Sequence, residues 1–297
     1  MEDPKGLIEF LQTYSNEKTC IDQLVKDRWG AEVTCPLCGT INTKLYTLAS
    51  GKLKCASCRQ TFSARVGTIF EDSKIHLQKW FLAIYLATSL KKGISSVQVS
   101  KYLGITQKSA WFMLQRIRHA IFSDDSRDLE GEVEIDETYI GGKVSNHTNK
   151  KEELKEVVFG MVERDGEVRI KHVKSSGFRT LMPEIEKTIA AGNTIYSDQW
   201  RAYMSLNRRG YNHQTVNHGN KEYVVGKIYT QNIENIWSQL KRSIYGVYHQ
   251  VSPKHLQLYC NEVEYRYNTR KLSDLQRFHR WFGLIVGKRL EYKDLTR

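Results

Sequence analysis

No stretch of this 297-residue chain approaches the roughly 18 consecutive apolar residues that a membrane-spanning helix needs. The opening "MEDPKGLIEF" also lacks the basic-then-apolar order of a secretory signal. Six cysteines are too few for a disulfide scaffold, and no internal repeat or low-complexity segment is visible. Acid is the scarcer charge: 33 Asp and Glu against 45 Lys and Arg give a formal net charge of +12. That excess favours a polyanionic partner such as nucleic acid. The expectation is a soluble, cytoplasmic protein of two or three domains that takes no membrane as partner.

Four of the six cysteines fall in one window, "CPLCGTINTKLYTLASGKLKCASC". Cys35-x2-Cys38 and Cys55-x2-Cys58 each turn two thiolates toward one point, the tetrahedral set that Zn2+ prefers in a closed structural site. With every position filled by sulfur, one structural Zn2+ would stabilise the fold and do no chemistry. Two disulfides or four buried thiols are the other readings, and the disulfides suit a secreted chain better. Lys44, Lys52, Lys54, Arg59 and Arg65 make this ribbon basic, as a DNA-contacting arm or as a solvated surface.

Helical spacing dominates before Gly30 and again over 73–122. In "SSVQVSKYLGITQKSAWFMLQRIRHAI", Val97, Val99 and Leu103 are expected to pack inward, Gly104 to turn the chain and Thr106 to cap a second helix. That order suits a helix-turn-helix, whose second helix would offer Gln107, Lys108, Ser109 and Gln115 to a DNA groove. Arg116, Arg118 and His119 are candidates for phosphate contact. Any helical hairpin carries a similar pattern.

After the polar stretch "SDDSRDLEGE", short strand-like runs alternate with helices, and Asp165-Gly166 has the chemistry of a hairpin turn. In "VEID", Val133 and Ile135 share one strand face, while Glu134 and Asp136 share the other. Asp198 ends the apolar run "NTIYSD". Glu234 sits in the first turn of a helix whose stripe is Ile233, Ile236, Trp237, Leu240 and Ile244, and Lys241 follows it on the same side. Three carboxylates gathered from two strands and a helix repel unless something neutralises them. Two Mg2+ ions about 4 Å apart would do so, and would clamp both oxygens of a phosphoryl transfer. Taken singly, each acid has an ordinary reading as a strand end, a helix cap or a dipole partner.

Over nearly its whole length the chain resembles the DDE-type transposases of bacterial insertion sequences, in the zinc-ribbon-bearing ISXO-like group related to the Merlin elements. The likeness is carried by "DRWGAEVTCPLCG", "GISSVQVSKYLGITQKSAWFMLQRIR", "EIDETYIGGK", "YSDQWRAY" and "NIENIWSQLKRSIYGVYHQVSPKHLQLYCNEVEYRYNTR". It implies a multidomain protein: an N-terminal helical segment (1–30), a zinc ribbon (31–68), a helix-turn-helix DNA-binding region (69–124), and an α/β ribonuclease H-like domain with C-terminal helices (130–297). By motif position, Asp136, Asp198 and Glu234 match the catalytic triad, and Lys241 matches the basic residue after it. Some members of the group carry Asn as third residue, and Asn232 and Asn235 flank Glu234 here; Glu234 is the choice because carboxylate binds Mg2+ better than amide.

The resemblance further implies two Mg2+ or Mn2+ ions, binding to terminal inverted repeats and target DNA, and cut-and-paste movement of the element. It also implies a homo-oligomer on paired ends, in bacterial cytoplasm and at the nucleoid when bound to DNA. Lys241 and Arg242 open a basic, aromatic stretch suited to the DNA backbone. A zinc-dependent DNA-binding regulator with a vestigial catalytic domain, and a nuclease that cuts without joining, are the alternatives.

Overall fold

The computed structural model describes residues 6–42, 46–48, 51–122, 128–141, 155–215 and 229–296. The chain divides into two units, Met1–Ser123 with Thr269–Arg297, and Asp124–Asn268. No described helix is long and apolar enough to cross a membrane.

The first unit opens with α1 (Leu7–Thr13) and α2 (Glu17–Trp29). Asn16 caps α2 by accepting from the Thr19 N–H, and Gly30 ends it at a positive φ of 63°, which glycine adopts readily. Five two-residue strands follow, β1 (Val33–Thr34) to β5 (Thr61–Phe62), around a small core of Val33, Leu53 and Phe62. The helix α3 (Leu77–Ser89) is apolar nearly all round and accordingly lies in the middle of this unit. Then come α4 (Ser96–Leu103) and α5 (Gln107–Ile121), and after the second unit α9 (Asp274–Phe282) and α10 (Tyr292–Thr296).

The last 29 residues, read from sequence as a continuation of the 130–297 domain, belong to this first unit. Their stripe of Leu275, Phe278, Trp281 and Phe282 is aromatic, and an aromatic surface receives it: Phe278 meets Phe10 at 5.0 Å and Phe81 at 5.4 Å, both edge-on. Arg277 locks the contact by donating to the Thr88 carbonyl at 2.9 Å.

The second unit is a five-stranded sheet in the order β10-β9-β6-β7-β8. The strands β6 (Glu132–Ile140), β7 (Glu156–Glu163) and β8 (Val168–Val173) form an antiparallel meander; β9 (Thr194–Ser197) and β10 (Asn212–Thr215) are parallel to β6. The β7–β8 turn falls at Asp165-Gly166, with Asp165 at φ 59°. Strand alternation sorts the core into two layers. Val133, Ile135, Phe159 and Met161 bury against α6 (Phe178–Thr188), and Val158, Val162 and Ile170 against α7 (Gln231–Ser243) and α8 (Pro253–Asn268). Between β9 and β10 the chain makes two short 3-10 turns, Arg201–Tyr203 and Asn207–Arg209. The Asn207 side chain takes the His213 N–H at 2.9 Å, and Gly210 turns at φ 86°, so the chain reverses before a helix can propagate.

An edge strand exposes a row of unpaired backbone groups. Here α8 covers that row with side chains: Asn268, Glu264 and Gln257 accept from the N–H groups of Val168, Ile170 and His172 at 2.8, 2.8 and 2.7 Å. Enclosure pushes the Glu264 carboxyl up to about 7, from an ordinary 4.5. The folded chain therefore keeps a proton that the unfolded chain has lost, so this group favours the fold at low pH and ceases to as pH rises from about 4.5 to about 7. Glu264→Gln, which keeps an acceptor, is expected to raise Tm near pH 8 by on the order of 5 °C and to leave it unchanged near pH 4, read by thermal unfolding.

Candidate active site and metal centre

The two cysteine knuckles close on one another. All four Sγ atoms lie within 4.8 Å, the one such group of His, Cys, Asp or Glu among the described residues. Cys35 to Cys58 is 3.9 Å and Cys38 to Cys55 is 3.8 Å. A Zn–S bond of ~2.3 Å gives tetrahedral sulfur–sulfur edges of ~3.8 Å, so the cage has the size for Zn2+. Each knuckle turns by a residue in the left-handed region just after its second cysteine, Gly39 at φ 74° and Arg59 at φ 61°. The ribbon carries only a handful of buried apolar side chains, which leaves its cohesion to the metal. Of its basic residues, Lys52 and Arg59 are exposed, whereas Arg65 is held inside the unit by Glu17 and the Ser73 and Ile75 carbonyls; Lys44 lies outside the described residues.

In the second unit, Asp136 lies on β6 and faces α7. Asp198 follows the last residue of β9, and Glu234 stands in the first turn of α7. Burial pushes the Asp136 carboxyl up to about 6; the nearby carboxylates of Asp198 and Glu234 add to the rise, and a hydrogen bond from Trp237 opposes it. The three acids named from sequence therefore share one electrostatic environment. Their oxygens are hard donors, of the kind that suits Mg2+ or Mn2+, and their mutual repulsion is what a divalent cation would relieve.

Local packing explains why α7 approaches β6 so closely. Gly160 on β7 pairs with Asp136, and a Cβ there would come within 2.5 Å of the Trp237 ring. Without that side chain, the indole lies on the sheet and its Nε1–H donates to Asp136 Oδ2 at 2.8 Å. Asp198 Oδ1 accepts from the Trp200 N–H two residues on, at 2.9 Å, a local turn bond that leaves the 3-10 turn Arg201–Tyr203 without a side-chain cap. Glu137 points to the opposite face, where the Tyr203 hydroxyl donates to it, and burial pushes its carboxyl up to about 7.

Residues 128–268 match the ISXO2-like transposase domain family, and residues 15–61 match the transposase zinc-ribbon domain family. The chain belongs to the ISXO2-like transposases. It is 29% identical over 255 residues to an uncharacterised protein in transposable element ISH50 of Halobacterium salinarum, across 78% of this chain and 84% of that one. An uncharacterised transposase-like protein of Haemophilus influenzae is 27% identical over 94 residues, 32% of this chain and 75% of that one. Among solved structures, a chain of the simian T-cell lymphotropic virus intasome in complex with PP2A regulatory subunit B56 gamma aligns at a TM-score of 0.30 and 12% identity, over 56% of this chain and 63% of that chain.

The remaining residues named from sequence in this transposase fall into two groups. Lys241 is half-buried and Arg242 exposed on the last turn of α7; Gln107 and Lys108 are exposed and Ser109 half-buried at the start of α5. Gln107 donates to Ser96, and the Lys108 ammonium lies 4.7 Å over the Tyr292 ring. Gly104 (φ 57°) and the Thr106 cap join α4 to α5 as expected, but Val97 is 51% exposed, because it lies half a turn from the buried pair Val99 and Leu103.

Two readings are corrected. Arg116, taken for a phosphate contact, is buried and donates to the carbonyls of Leu290, Ile69 and Glu71, so its fork is used inside the fold; Arg118 and Gln115 are buried beside it. Asn232 donates its amide to Glu134 at 2.9 Å, which makes it a structural partner of that acid. Glu134, which shares a strand face with Asp136, is fully buried. Sequence reasoning missed Trp237 as a hydrogen-bond donor, because the apolar stripe accounted for its ring. It also missed Arg164, which carries no local signal beyond its place before a turn.

Proposed function

We propose that this transposase binds the terminal inverted repeats of its insertion sequence and cuts and joins DNA at a centre formed by Asp136, Asp198 and Glu234, in a ribonuclease H-like domain. The observation that carries the reading is the placement of the three acids: Asp136 on β6 facing α7, Asp198 at the end of the neighbouring strand β9, and Glu234 in the first turn of α7. The antiparallel meander continued by two parallel strands, with helices on both faces, supports the choice of domain. Two Mg2+ or Mn2+ ions held by these carboxylates would activate the attacking water or 3′-hydroxyl and stabilise the leaving oxygen. The chain's own part is placement. Trp237 and the Trp200 N–H each hold one oxygen of a metal-binding acid, and Lys241 and Arg242, two turns along α7 from Glu234, offset phosphate charge.

The first unit would hold the ends, through Gln107, Lys108 and Ser109. Changing Gln107 and Lys108 to Ala is expected to relax preference for the element's own repeat over unrelated duplex by about tenfold, measured by competition binding. An unchanged preference would move recognition to another surface. Action on two ends calls for a homo-oligomer, in the bacterial cytoplasm. The reading as a whole is tested by end cleavage with Mg2+ against EDTA, with the three acids changed one at a time.

A further inference from the structure

The first turn of α7 lacks a cap of its own, since the Thr230 side chain makes no capping bond. The cap comes from the sheet. Glu134 accepts the backbone N–H groups of Asn232 at 2.9 Å and Ile233 at 3.2 Å, and the Asn232 amide at 2.9 Å. These are donors that a helix start leaves unpaired, and a carboxylate there also meets the positive end of the helix dipole. Asp136 follows Glu134 by two residues on the same strand face, and Glu234 follows Ile233 directly. The cap therefore sets the height and rotation of the helix carrying Glu234 against the strand carrying Asp136.

A carboxylate buried among neutral donors alone would be costly, and Arg164 supplies the opposite charge. Its side chain is 9% exposed and donates from Nε to Glu134 at 3.0 Å, from Nη1 to Glu132 at 2.9 Å and from Nη2 to the Tyr229 carbonyl at 3.0 Å. The guanidinium is held between two rings, 3.9 Å from the Tyr196 centroid and 3.8 Å from that of Tyr229. Tyr196 stands in β9 two residues before Asp198, and Tyr229 stands just before α7. One side chain thus ties together the strand of Asp136, the strand leading to Asp198 and the start of the helix of Glu234.

We propose that Arg164 is a positioning residue of the cutting centre, acting through Glu134, Tyr196 and Tyr229 to set the mutual spacing of Asp136, Asp198 and Glu234. This rests on the reading of those three acids as the centre. Lysine cannot replace it: a point charge lacks the planar fork and the stacking faces that the site uses.

The test compares full-length Arg164→Lys, Glu134→Gln and Asp136→Asn with wild type, by thermal unfolding, binding to labelled element ends, single-turnover cleavage and Mn2+ binding followed by electron paramagnetic resonance without DNA. Arg164→Lys is expected to bind ends within about twofold of wild type, yet to cut about 10- to 100-fold more slowly and to bind Mn2+ about 10-fold more weakly. If Arg164→Lys does not fold, Glu134→Gln, of the same size and with an acceptor retained, carries the same expectation. A merely structural residue would lower Tm and leave Mn2+ affinity and the cleavage rate of bound protein unchanged, and that result overturns the proposal. Asp136→Asn separates the two claims. If it cuts at the wild-type rate, the reading of the site fails; if it is inactive while Arg164→Lys and Glu134→Gln match wild type in rate and Mn2+ affinity, the positioning role alone fails.

Discussion

Chelation of zinc from the reduced protein is expected to unfold residues 33–62 while the helices α3 and α5 stay folded. The ribbon's strands are two residues each and its buried apolar side chains are few, so burial alone cannot offset the entropy of ordering it. A structural zinc contributes on the order of 10 kcal/mol in comparable small domains, which is folding free energy because the site does not exist in the unfolded chain. Amide hydrogen exchange reads the result directly: protection across Val33–Phe62 should vanish with chelator and return with Zn2+. Cys55→Ser, at a fully buried ligand position, should behave as the chelated protein does even with zinc present. Protection that survives chelation, or four cysteines found in disulfides, would show that the ribbon stands without metal.

The second large effect concerns the acids. Asp136→Asn, Asp198→Asn and Glu234→Gln are each expected to lower end cleavage at least about 10³-fold, the scale of several kcal/mol of transition-state stabilisation. The same changes should cost little stability. Asp136 is half-buried near two other carboxylates, so a neutral side chain that still accepts from Trp237 removes repulsion and keeps the hydrogen bond. Loss of cleavage with Tm equal to or above that of wild type is the signature of a site that trades stability for function. A variant that lost cleavage only in proportion to lost folded protein would place Asp136 in the fold's support.

Much of this was legible in the chain itself, where the signal was local. Two Cys-x2-Cys pairs sixteen residues apart announce a cage, and "VEID" sorts its four side chains onto two faces by strand alternation alone. The Asp165-Gly166 turn and the apolar stripe of α7 are equally short-range. What the sequence withheld depends on distant partners. Arg116 reads as a basic residue of a DNA-facing helix, and only the carbonyls of Ile69, Glu71 and Leu290 make it internal. Glu134 shows in the sequence only as an acid on the strand face of Asp136, and its burial depends on a helix start 98 positions away. The C-terminal segment runs on from α8 without a break in sequence character, yet the aromatic face of α9 finds its complement on α1 and α3.

The most direct measurement incubates the purified protein with labelled DNA carrying the element's own ends, in Mg2+ or in EDTA, beside the three acid variants. The account predicts cleavage at the ends and joining of the freed 3′-hydroxyl to target DNA in Mg2+ with the wild-type protein alone. Cleavage that persists in EDTA, or in all three variants, would contradict it.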